Sequence, residues 1–343
     1  MIKISEFAEK TTPYSVGEQP REKLIKLNTN ENPYPPAREC AQAVARFDMT
    51  RLKLYPDLSL AELKKAVAEK ERVKEENVFV GNGSDEVLAF AVRAFFDPES
   101  AAVVFPKITY SFYPVYCNLF DVNYMCVENE RDFSVDAEKL TGGQGVIIAN
   151  PNAPTSLSLP LEKIARLAEI NDGKPVIVDE AYIDFATKTS SAVSLLNRYE
   201  NLAVIKTFSK SYSLAGIRCG YMIAGKRLVK AMETVRDCFN SYPVDSLCQK
   251  ICLAAIKAEK YHAECTEKVI NTREKVIREL RKRGKTVLDS DTNFLFVKGG
   301  ESDYLKLKEK GILVRWFDSD GVREYTRVTV GSDEEMDAYL AAL

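Results

Sequence analysis

The sequence predicts an α/β protein with a large domain built on a mostly parallel, seven-stranded sheet, and a smaller α+β domain. Two observations predict this fold. Short apolar runs alternate with amphipathic helical segments between about residues 77 and 225, which is typical of a parallel sheet with helices on both faces. Beyond residue 225 the pattern changes to long helices with charged faces, followed by short strands. The predicted strands of the large sheet are Asn77–Gly81, Ala101–Phe105, Val122–Val127, Gly145–Ala149, Pro175–Asp179, Leu202–Thr207 and Cys219–Ala224.

The remaining elements follow from the same patterns. Helices with one apolar face are predicted between the strands over Ser84–Phe95, Tyr110–Phe120 and Pro160–Asn171. Long helices are predicted from Lys226 to Arg283, with a break near Pro243. The last predicted elements are the strands Asn293–Lys298, Ile312–Arg315 and Tyr325–Val330, and the helix Asp333–Leu343.

The N-terminal stretch Leu27–Pro36 is rich in Asn and Pro, so no regular structure is expected there. We expect residues 1–47 to form an N-terminal arm and lid, with a helix over Ala37–Phe47 that joins the small domain. Residues 48–240 are then expected to form the large domain. Residues 241–343 are expected to form the small domain, together with the interdomain helix.

Composition and charge exclude several classes of protein. The net charge of −2 gives no general attraction to nucleic acid or to an anionic membrane. The sequence has no run of eighteen apolar residues that could span a membrane, and its first residues lack the layout of a secretory signal. Without such a signal, the eight cysteines are expected to be reduced thiols, so a cytoplasmic protein is predicted.

The cysteines and the single histidine offer one alternative. Cys248, Cys252, His262 and Cys265 lie close enough in sequence to suggest a metal site, but the segment is helical and amphipathic, which favours buried structural thiols. His262 lies among charged residues, so a surface position is expected. Because it is the only histidine, a Ser-His-Asp hydrolase or a His-rich zinc enzyme is disfavoured.

Four side chains in order along the chain indicate a cofactor. Asp179 closes a predicted buried strand, Tyr182 follows three residues later, and Lys210 stands in a hydroxyl-rich stretch with Arg218 eight residues on. Pyridoxal 5′-phosphate needs such groups: a lysine for the imine, an aspartate for the pyridine nitrogen, and hydroxyls with an arginine for the phosphate. Each group alone has an ordinary structural explanation, and it is their order and spacing that favour the cofactor.

The segment 81–86 joins a predicted strand to a predicted helix. Its glycines allow a close approach of the backbone to an anion, and a new helix offers free N–H groups at its start. The alternative is an ordinary turn in which Ser84 caps the helix. With Lys210 and Arg218 in the same chain, a phosphate cup is favoured.

Together these segments resemble the histidinol-phosphate aminotransferase family, whose members are pyridoxal-phosphate enzymes of fold type I. The resemblance runs in order from Leu27 to the end of the chain. The segments that carry it are LNTNENPY at 27–34, YPD at 55–57, GNGSDE at 81–86, DEAY at 179–182, TFSK at 207–210, LAGIRCGY at 214–221, GILVR at 311–315 and RVTVG at 327–331.

The resemblance implies a role for each matching residue. Lys210 would hold the cofactor as an imine and move the proton, Asp179 would bind the pyridine nitrogen, and Tyr182 would bind the ring oxygen. Tyr110 would stack on the ring. The residues implied around the cofactor phosphate are Gly83, Ser84, Asp85, Thr207, Ser209 and Arg218, with Tyr55 reaching across from a second subunit of a homodimer. The residues implied at the substrate are Arg327, Arg315, Tyr34 and Asn32, with Tyr34 and the stretch Asn30–Asn32 forming part of a lid.

The sequence departs from the family pattern at residues 150–156, where NPNAPTS replaces the usual NPNNPTG. Ala153 stands where an asparagine normally contacts the ring oxygen. Either Asn152 substitutes for it or Tyr182 makes that contact alone. A second departure places Pro243 and Asp245 where asparagine is usual.

The function implied is transamination between L-histidinol phosphate and 2-oxoglutarate, which yields imidazole-acetol phosphate and L-glutamate in histidine biosynthesis. The alternatives are an aromatic amino acid aminotransferase and a threonine-phosphate decarboxylase-like enzyme; the latter tend to begin with a His-Gly-Gly segment, which this chain lacks. A cofactor-sensing regulator would carry a basic DNA-binding domain, and a dinucleotide-binding protein would carry Gly-x-Gly-x-x-Gly after its first strand. Both are disfavoured.

Overall fold

The structure is a computed structural model that describes residues 2–11, 13, 17–19 and 24–343. In these residues the strands are β1 Ile25–Lys26, β2 Val78–Gly81, β3 Val103–Pro106, β4 Tyr124–Val127, β5 Gly145–Ala149, β6 Val176–Asp179, β7 Leu202–Thr207, β8 Gly220–Ala224, β9 Phe294–Lys298, β10 Ile312–Leu313, β11 Arg315–Trp316 and β12 Tyr325–Thr329. The α-helices are α1 Glu6–Lys10, α2 Arg38–Ala45, α3 Ala61–Glu71, α4 Gly83–Phe95, α5 Tyr113–Leu119, α6 Leu161–Ile170, α7 Lys226–Phe239, α8 Ser246–Lys257, α9 Glu259–Lys282, α10 Gly300–Glu309 and α11 Asp333–Ala342. Short 3₁₀ helices cover Met49–Lys53, Glu75–Asn77, Ala137–Lys139, Ile183–Phe185, Ala192–Leu195 and Ala215–Ile217.

A seven-stranded sheet forms the centre of the molecule, with strand order β2-β8-β7-β6-β5-β3-β4. β8 runs antiparallel to both of its neighbours, and the strands from β7 to β4 are parallel. The predicted seven-stranded, mostly parallel sheet is confirmed. In the register, Ala149 lies beside Asp179, and Asp179 lies beside Ile205. The ends of β5, β6 and β7 therefore meet at one edge of the sheet, which is where ligands bind in such folds.

Both faces of this sheet are buried except along the edge strand β4, whose side chains are mostly exposed. Ile147, Ile177 and Ile205 point into a core shared with α4, α5 and α7. Their neighbours Val146 and Val178 point into a second core, shared with α6. This alternation explains why the strands read as continuous apolar runs rather than as alternating ones.

A smaller three-stranded antiparallel sheet, in the order β11-β12-β9, packs with α9, α10 and α11. β1 pairs in parallel with β10. Just after β1, the Leu27 N–H donates to the Leu313 oxygen at 2.7 Å, and the Leu27 oxygen accepts from the Thr329 N–H at 2.9 Å. These two bonds hold the irregular segment after Leu27 against the end of β12.

Most elements predicted from the sequence are confirmed, and four helices or strands were missed: α1, α3, α10 and β1. The helix predicted from Tyr110 begins only at Tyr113, where Pro114 suits the first turn because its missing N–H would have no partner there. α8 packs in one core with Val80 and Tyr221 of the large sheet. The division of the chain at residues 47 and 240 stays a prediction. None of the helices in the described part of the chain is long and apolar enough to cross a membrane.

Candidate active site

A cavity of about 370 Å³ lies at the edge of the large sheet where β5, β6 and β7 end. Ten of the side chains predicted to be functional line it: Ser84, Asp85, Tyr110, Asp179, Tyr182, Ser209, Lys210, Arg218, Arg315 and Arg327. The segment 28–30 and Ala153 also line it. A larger groove of about 620 Å³ lies between α2, α3 and α8, away from these side chains. The chemistry-bearing groups thus converge in the smaller cavity.

Asp179 is the most deeply buried acid of the cavity, with 5% of its surface exposed. The Tyr113 hydroxyl donates to its Oδ2 at 2.9 Å, and the Ala181 N–H donates to its Oδ1 at 3.2 Å. Burial raises the pKa of Asp179 to about 6, against the effect of these two hydrogen bonds. A cationic partner would stabilise the negative charge of a carboxylate buried in this way. A protonated ring nitrogen would be such a partner.

Lys210 lies in the loop that follows β7. Its Nζ donates to the Thr29 oxygen at 3.3 Å and lies 5.6 Å from the centroid of the Tyr182 ring. Asn32 Nδ2 donates to the backbone oxygens of Lys210 and Ser211 at 3.3 and 3.1 Å, and so fixes the loop. The amine is directed into the cavity by the segment before α2.

Tyr182 is held by Asn30, a residue of the stretch that the family resemblance places in the lid. Asn30 Nδ2 donates to the Tyr182 hydroxyl oxygen at 2.9 Å. Asn30 is 1% exposed and has a backbone φ of 58°, a left-handed conformation that asparagine adopts more readily than most residues. Its only sequence signal was the Asn-rich stretch itself.

The loop before α4 forms a small concave surface. Gly83 has φ +81°, and a Cβ added there would lie 2.7 Å from Arg218 Nη2. A Cβ on Gly220 would lie 2.4 Å from the Ser84 nitrogen. Both positions therefore require glycine. The first-turn N–H groups of α4 have no partners within the helix, so this surface suits an anion.

Arg218 faces this surface and is oriented by Asp85. Its Nη2 lies 3.0 Å from Asp85 Oδ2. The other oxygen, Asp85 Oδ1, accepts from the Tyr110 and Tyr116 hydroxyls at 3.0 and 3.2 Å. Asp85 thus acts as a hub that positions both an arginine and an aromatic ring. Tyr116 and Tyr113 were not predicted, although both carry hydroxyls in an aromatic-rich segment.

Two hydroxyls complete the concave surface. The Thr207 hydroxyl donates to Ser209 Oγ at 3.0 Å and accepts from the Ser209 N–H at 3.1 Å. Ser209 lines the cavity, while Thr207 stands behind it. Gly83, Ser84, Asp85, Ser209 and Arg218 are thereby brought together as predicted for a phosphate.

A pair of arginines closes the other end of the cavity. Arg315 of β11 lies directly opposite Arg327 of β12 in the register of the small sheet. Both guanidinium groups lie over the Phe317 ring, at 5.2 and 5.5 Å from its centroid. Arg327 Nη2 donates to the Asn28 oxygen at 3.0 Å. Two adjacent guanidinium groups suit a phosphate or a carboxylate of a ligand.

Asn152 was one of the two residues predicted to contact the ring oxygen. Its Oδ1 accepts from the Thr109 hydroxyl at 2.8 Å, and its Nδ2 donates to the Ile108 oxygen and the Thr155 hydroxyl, both at 2.9 Å. These contacts turn the amide away from the cavity, which Ala153 lines instead. A contact of Asn152 with the ring oxygen stays a prediction.

Three other predicted residues lie outside the cavity lining. Asn32 contacts the backbone beneath Lys210, as described above. Tyr34 lies under Lys268, whose Nζ is 5.3 Å from the ring centroid. Tyr55 is 82% exposed and stacks on Tyr242 with 4.6 Å between the centroids.

The predicted surface position of His262 is wrong. Its side chain is 14% exposed and stacks on Tyr212 at 4.1 Å between ring centroids, with Nε2 3.5 Å from Asp184 Oδ2. Cys248 and Cys252 lie within 4.8 Å of Cys219, and all three thiols are buried in the core beside the large sheet.

Comparison with known proteins gives the class and then the family. The sequence profile described as "Aminotransferase class I and II" matches residues 22–343, so the chain belongs to this class of aminotransferases. A histidinol-phosphate aminotransferase of Brachyspira hyodysenteriae is 46% identical over 343 residues, which cover 98% of this chain and 96% of the relative. One of Chromohalobacter salexigens is 47% identical, over 97% and 95% of the two chains. The chain belongs to the histidinol-phosphate aminotransferase family, as its motifs predicted.

Solved structures confirm the predicted fold. The histidinol-phosphate aminotransferase of Sinorhizobium meliloti, in complex with pyridoxal 5′-phosphate, matches with a TM-score of 0.89 at 24% identity, over 100% of this chain and 97% of that one. The Clostridium acetobutylicum histidinol-phosphate aminotransferase matches with a TM-score of 0.85 at 22% identity, over 93% and 98%.

Proposed function

We propose that this chain is a pyridoxal-phosphate-dependent aminotransferase that exchanges the amino group between L-histidinol phosphate and 2-oxoglutarate. One observation carries the proposal. Lys210, the buried Asp179 and the concave surface at the start of α4, which suits an anion, all lie at one cavity. The names of the relatives with 46% and 47% identity support the choice of substrate.

The residues present fit the cofactor. Lys210 would hold it covalently, Asp179 would bind the ring nitrogen, and Tyr182 would bind the ring oxygen. Tyr110 would lie on the ring face. The phosphate would be held by Gly83, Ser84, Asp85, Ser209 and Arg218, with Thr207 behind them. When bound, pyridoxal 5′-phosphate supplies an aldehyde that condenses with amines and a ring that takes up electrons from the substrate carbon.

The chain's own groups then move and hold protons. Lys210 Nζ, once released, is the amine placed to remove a proton from the substrate carbon and to return it. The Thr29 oxygen lies 3.3 Å from this nitrogen and keeps it at the cavity wall. The negative charge of Asp179, buried and hydrogen-bonded by Tyr113, favours the protonated state of a bound ring nitrogen.

The arginine pair would select the substrate. Histidinol phosphate ends in a phosphate, and glutamate and 2-oxoglutarate end in a carboxylate, so one pair of guanidinium groups serves both half-reactions. Arg327 would take this group directly and Arg315 would assist. Tyr34 and Asn32 would belong to the segment that covers the substrate.

We also propose a homodimer in which Tyr55 reaches the cofactor phosphate of the partner subunit. Tyr55 lies in a stretch with several large apolar side chains exposed: Met49, Leu52 and Leu54 are 65%, 51% and 61% exposed. Apolar side chains clustered in this way favour a protein interface. A cytoplasmic location stays a prediction from cysteine usage.

The test is a single-turnover measurement of cofactor absorbance. Purified, cofactor-loaded protein is mixed separately with L-histidinol phosphate, L-phenylalanine and O-phospho-L-threonine. We expect rapid loss of the visible band with histidinol phosphate, and none in Lys210→Ala. Equal efficiency with phenylalanine would move the protein to the aromatic aminotransferases, and release of CO₂ from phosphothreonine would move it to the decarboxylases.

The shared site is tested by mixing two inactive variants. Tyr55→Ala and Lys210→Ala should each be impaired alone. If Tyr55 acts across subunits, a mixed dimer has one site with both residues intact, and activity returns on mixing. No recovery in a mixture shown to exchange subunits would contradict the shared site.

A further inference from the structure

The segment Asn28–Asn30 touches three separate parts of the proposed machinery with three consecutive residues. The backbone oxygen of Asn28 accepts a hydrogen bond from Arg327, and the backbone oxygen of Thr29 accepts one from Lys210. The side-chain Nδ2 of Asn30 donates to the Tyr182 hydroxyl. Only the last of these contacts is made by a side chain, so it can be removed by substitution without changing the backbone contacts. It is also the contact that sequence analysis missed.

The orientation of the Asn30 amide is determined by its surroundings. The Thr329 hydroxyl accepts from the Asn30 N–H at 2.9 Å and donates to Asn30 Oδ1 at 3.3 Å. Asn293 Nδ2 donates to the Asn30 backbone oxygen at 3.0 Å. Because the oxygen of the amide receives the threonine proton, its NH₂ group is left to face Tyr182. All three contacts are buried, so each is worth more than a contact at the surface.

We propose that Asn30 is a positioning residue that directs the Tyr182 hydroxyl as a donor into the cavity. The inference rests on the proposed function. A hydroxyl that accepts a hydrogen bond from Asn30 has its own proton free for another acceptor, and the accepted bond makes it a stronger donor. The side chain of Ala153, which also lines the cavity, has no polar group that could donate beside Tyr182. Tyr182 is thus the hydroxyl that depends on Asn30.

The consequence can be measured in the cofactor's absorbance. Donation from Tyr182 to a negative ring oxygen favours the form of the bound cofactor that has lost a proton. Weakening that donation moves the pH midpoint of the visible absorbance change upward. The net worth of a neutral hydrogen bond corresponds to a shift of roughly 0.4 to 1 pH unit.

The informative variant is Asn30→Gly. Glycine adopts the φ of 58° without strain, so the change removes the amide and keeps the backbone. We expect the midpoint of the holoenzyme to rise by that amount, kcat to fall and KM to change little. Asn30→Asp, which offers Tyr182 only an acceptor, should raise the midpoint further because it captures the phenol proton.

A double-mutant cycle shows whether Asn30 acts through Tyr182. In a Tyr182→Phe background, Asn30→Gly should leave the midpoint where Tyr182→Phe alone places it. An equal shift in both backgrounds, or no shift in the wild-type background, would overturn the inference. If Asn30→Gly fails to fold, Thr329→Val loosens the same amide and should give a smaller upward shift.

Matched controls separate this result from general damage. Thr326→Val changes another buried threonine of β12 whose hydroxyl faces the Val297 oxygen, and should leave the midpoint unchanged. A wild-type protein that shows no visible cofactor band would defeat the proposed function and this inference with it. A wild-type band with histidinol-phosphate turnover, but no shift in Asn30→Gly, would defeat the inference alone.

Discussion

Asp179 should reduce the stability of the cofactor-free protein at neutral pH. Burial raises its pKa from 3.8 to about 6, so the folded state binds the proton more tightly than the unfolded state does. The contribution of Asp179 to the free energy of unfolding is therefore most favourable below the pKa of the unfolded state, and it is lost as pH rises between about 4 and 6. The difference of about two pKa units corresponds to about 3 kcal/mol lost above pH 6.

Asp179→Asn removes this loss without changing the shape of the side chain. The amide oxygen can still accept from the Ala181 N–H, and the Tyr113 hydroxyl can turn to accept from the new NH₂ group. At pH 7.5 the cofactor-free variant should unfold about 4 °C above the wild type, taking ~2.1 cal/mol/K of unfolding entropy per residue. At pH 4 the two proteins should differ by less than 1 °C, again on the order given by that entropy.

The assay is thermal unfolding of cofactor-free protein across this pH range at one protein concentration, since a dimer's midpoint depends on concentration. Asp172→Asn, at an exposed position in the turn after α6, is the control for the substitution itself. Adding the cofactor should reverse the order, because the wild type regains its cationic partner and the variant does not. If the difference in unfolding temperature between wild type and Asp179→Asn does not increase as the pH rises, the carboxylate is not desolvated and the reasoning fails.

Three further predictions follow from named contacts. Arg327→Gln should raise KM for both substrates about 100-fold or more, because a charge-assisted pair is lost, with an unchanged unfolding midpoint; a change in KM for only one substrate would contradict a shared anion site. Lys206→Met leaves Glu71 buried without its partner at 2.9 Å and should cost about 3 kcal/mol or more in urea unfolding, whereas Lys226→Met, at an exposed pair, should cost less than about 1 kcal/mol. Gly83→Ala should weaken cofactor binding in a fluorescence titration, because φ is +81° and the added Cβ would meet an arginine nitrogen at 2.7 Å; unchanged affinity would show that the loop is not the phosphate cup.

The side chains whose place at the cavity could be predicted from the sequence are those that local pattern determines. Asp179 ends an apolar strand and Lys210 follows the next one, and parallel strands bring their ends to the same edge. The glycine at Gly83 is required by a positive φ, which a strand-to-helix turn suggests in the sequence itself. In each case the residue's position depends on its own strand or turn.

The parts that sequence could not predict depend on partners far along the chain. Asn30 and Tyr182 are separated by 152 residues, and nothing near either residue indicates the bond between them. The sequence did not show that Ala153, rather than its neighbour Asn152, lines the cavity. The segment is irregular, and the orientation of the Asn152 amide depends on its hydrogen bonds to the hydroxyls of Thr109 and Thr155. His262 was predicted at the surface because its neighbours on α9 are charged. Its ring stacks on Tyr212, which lies in another part of the chain and gives no signal in the local sequence.

The charged side chains of the cavity occupy separate regions, and the chain's net charge of −2 gives no sign of this arrangement. Four cationic side chains and two carboxylates line it, a surplus of two positive charges. Arg218 and Asp85 pair at one end, the two arginines of the small sheet stand at the other, and Asp179 lies between them at the sheet edge. A ligand matched to this cavity carries an anion at each end and a cation near its middle. A cofactor with a phosphate and a protonated ring, joined to a substrate that ends in a phosphate or carboxylate, has that distribution of charge. Because the end with the small-sheet arginines must exchange its substrate with solvent, added salt should weaken substrate capture there more than it weakens the buried contact at Asp179.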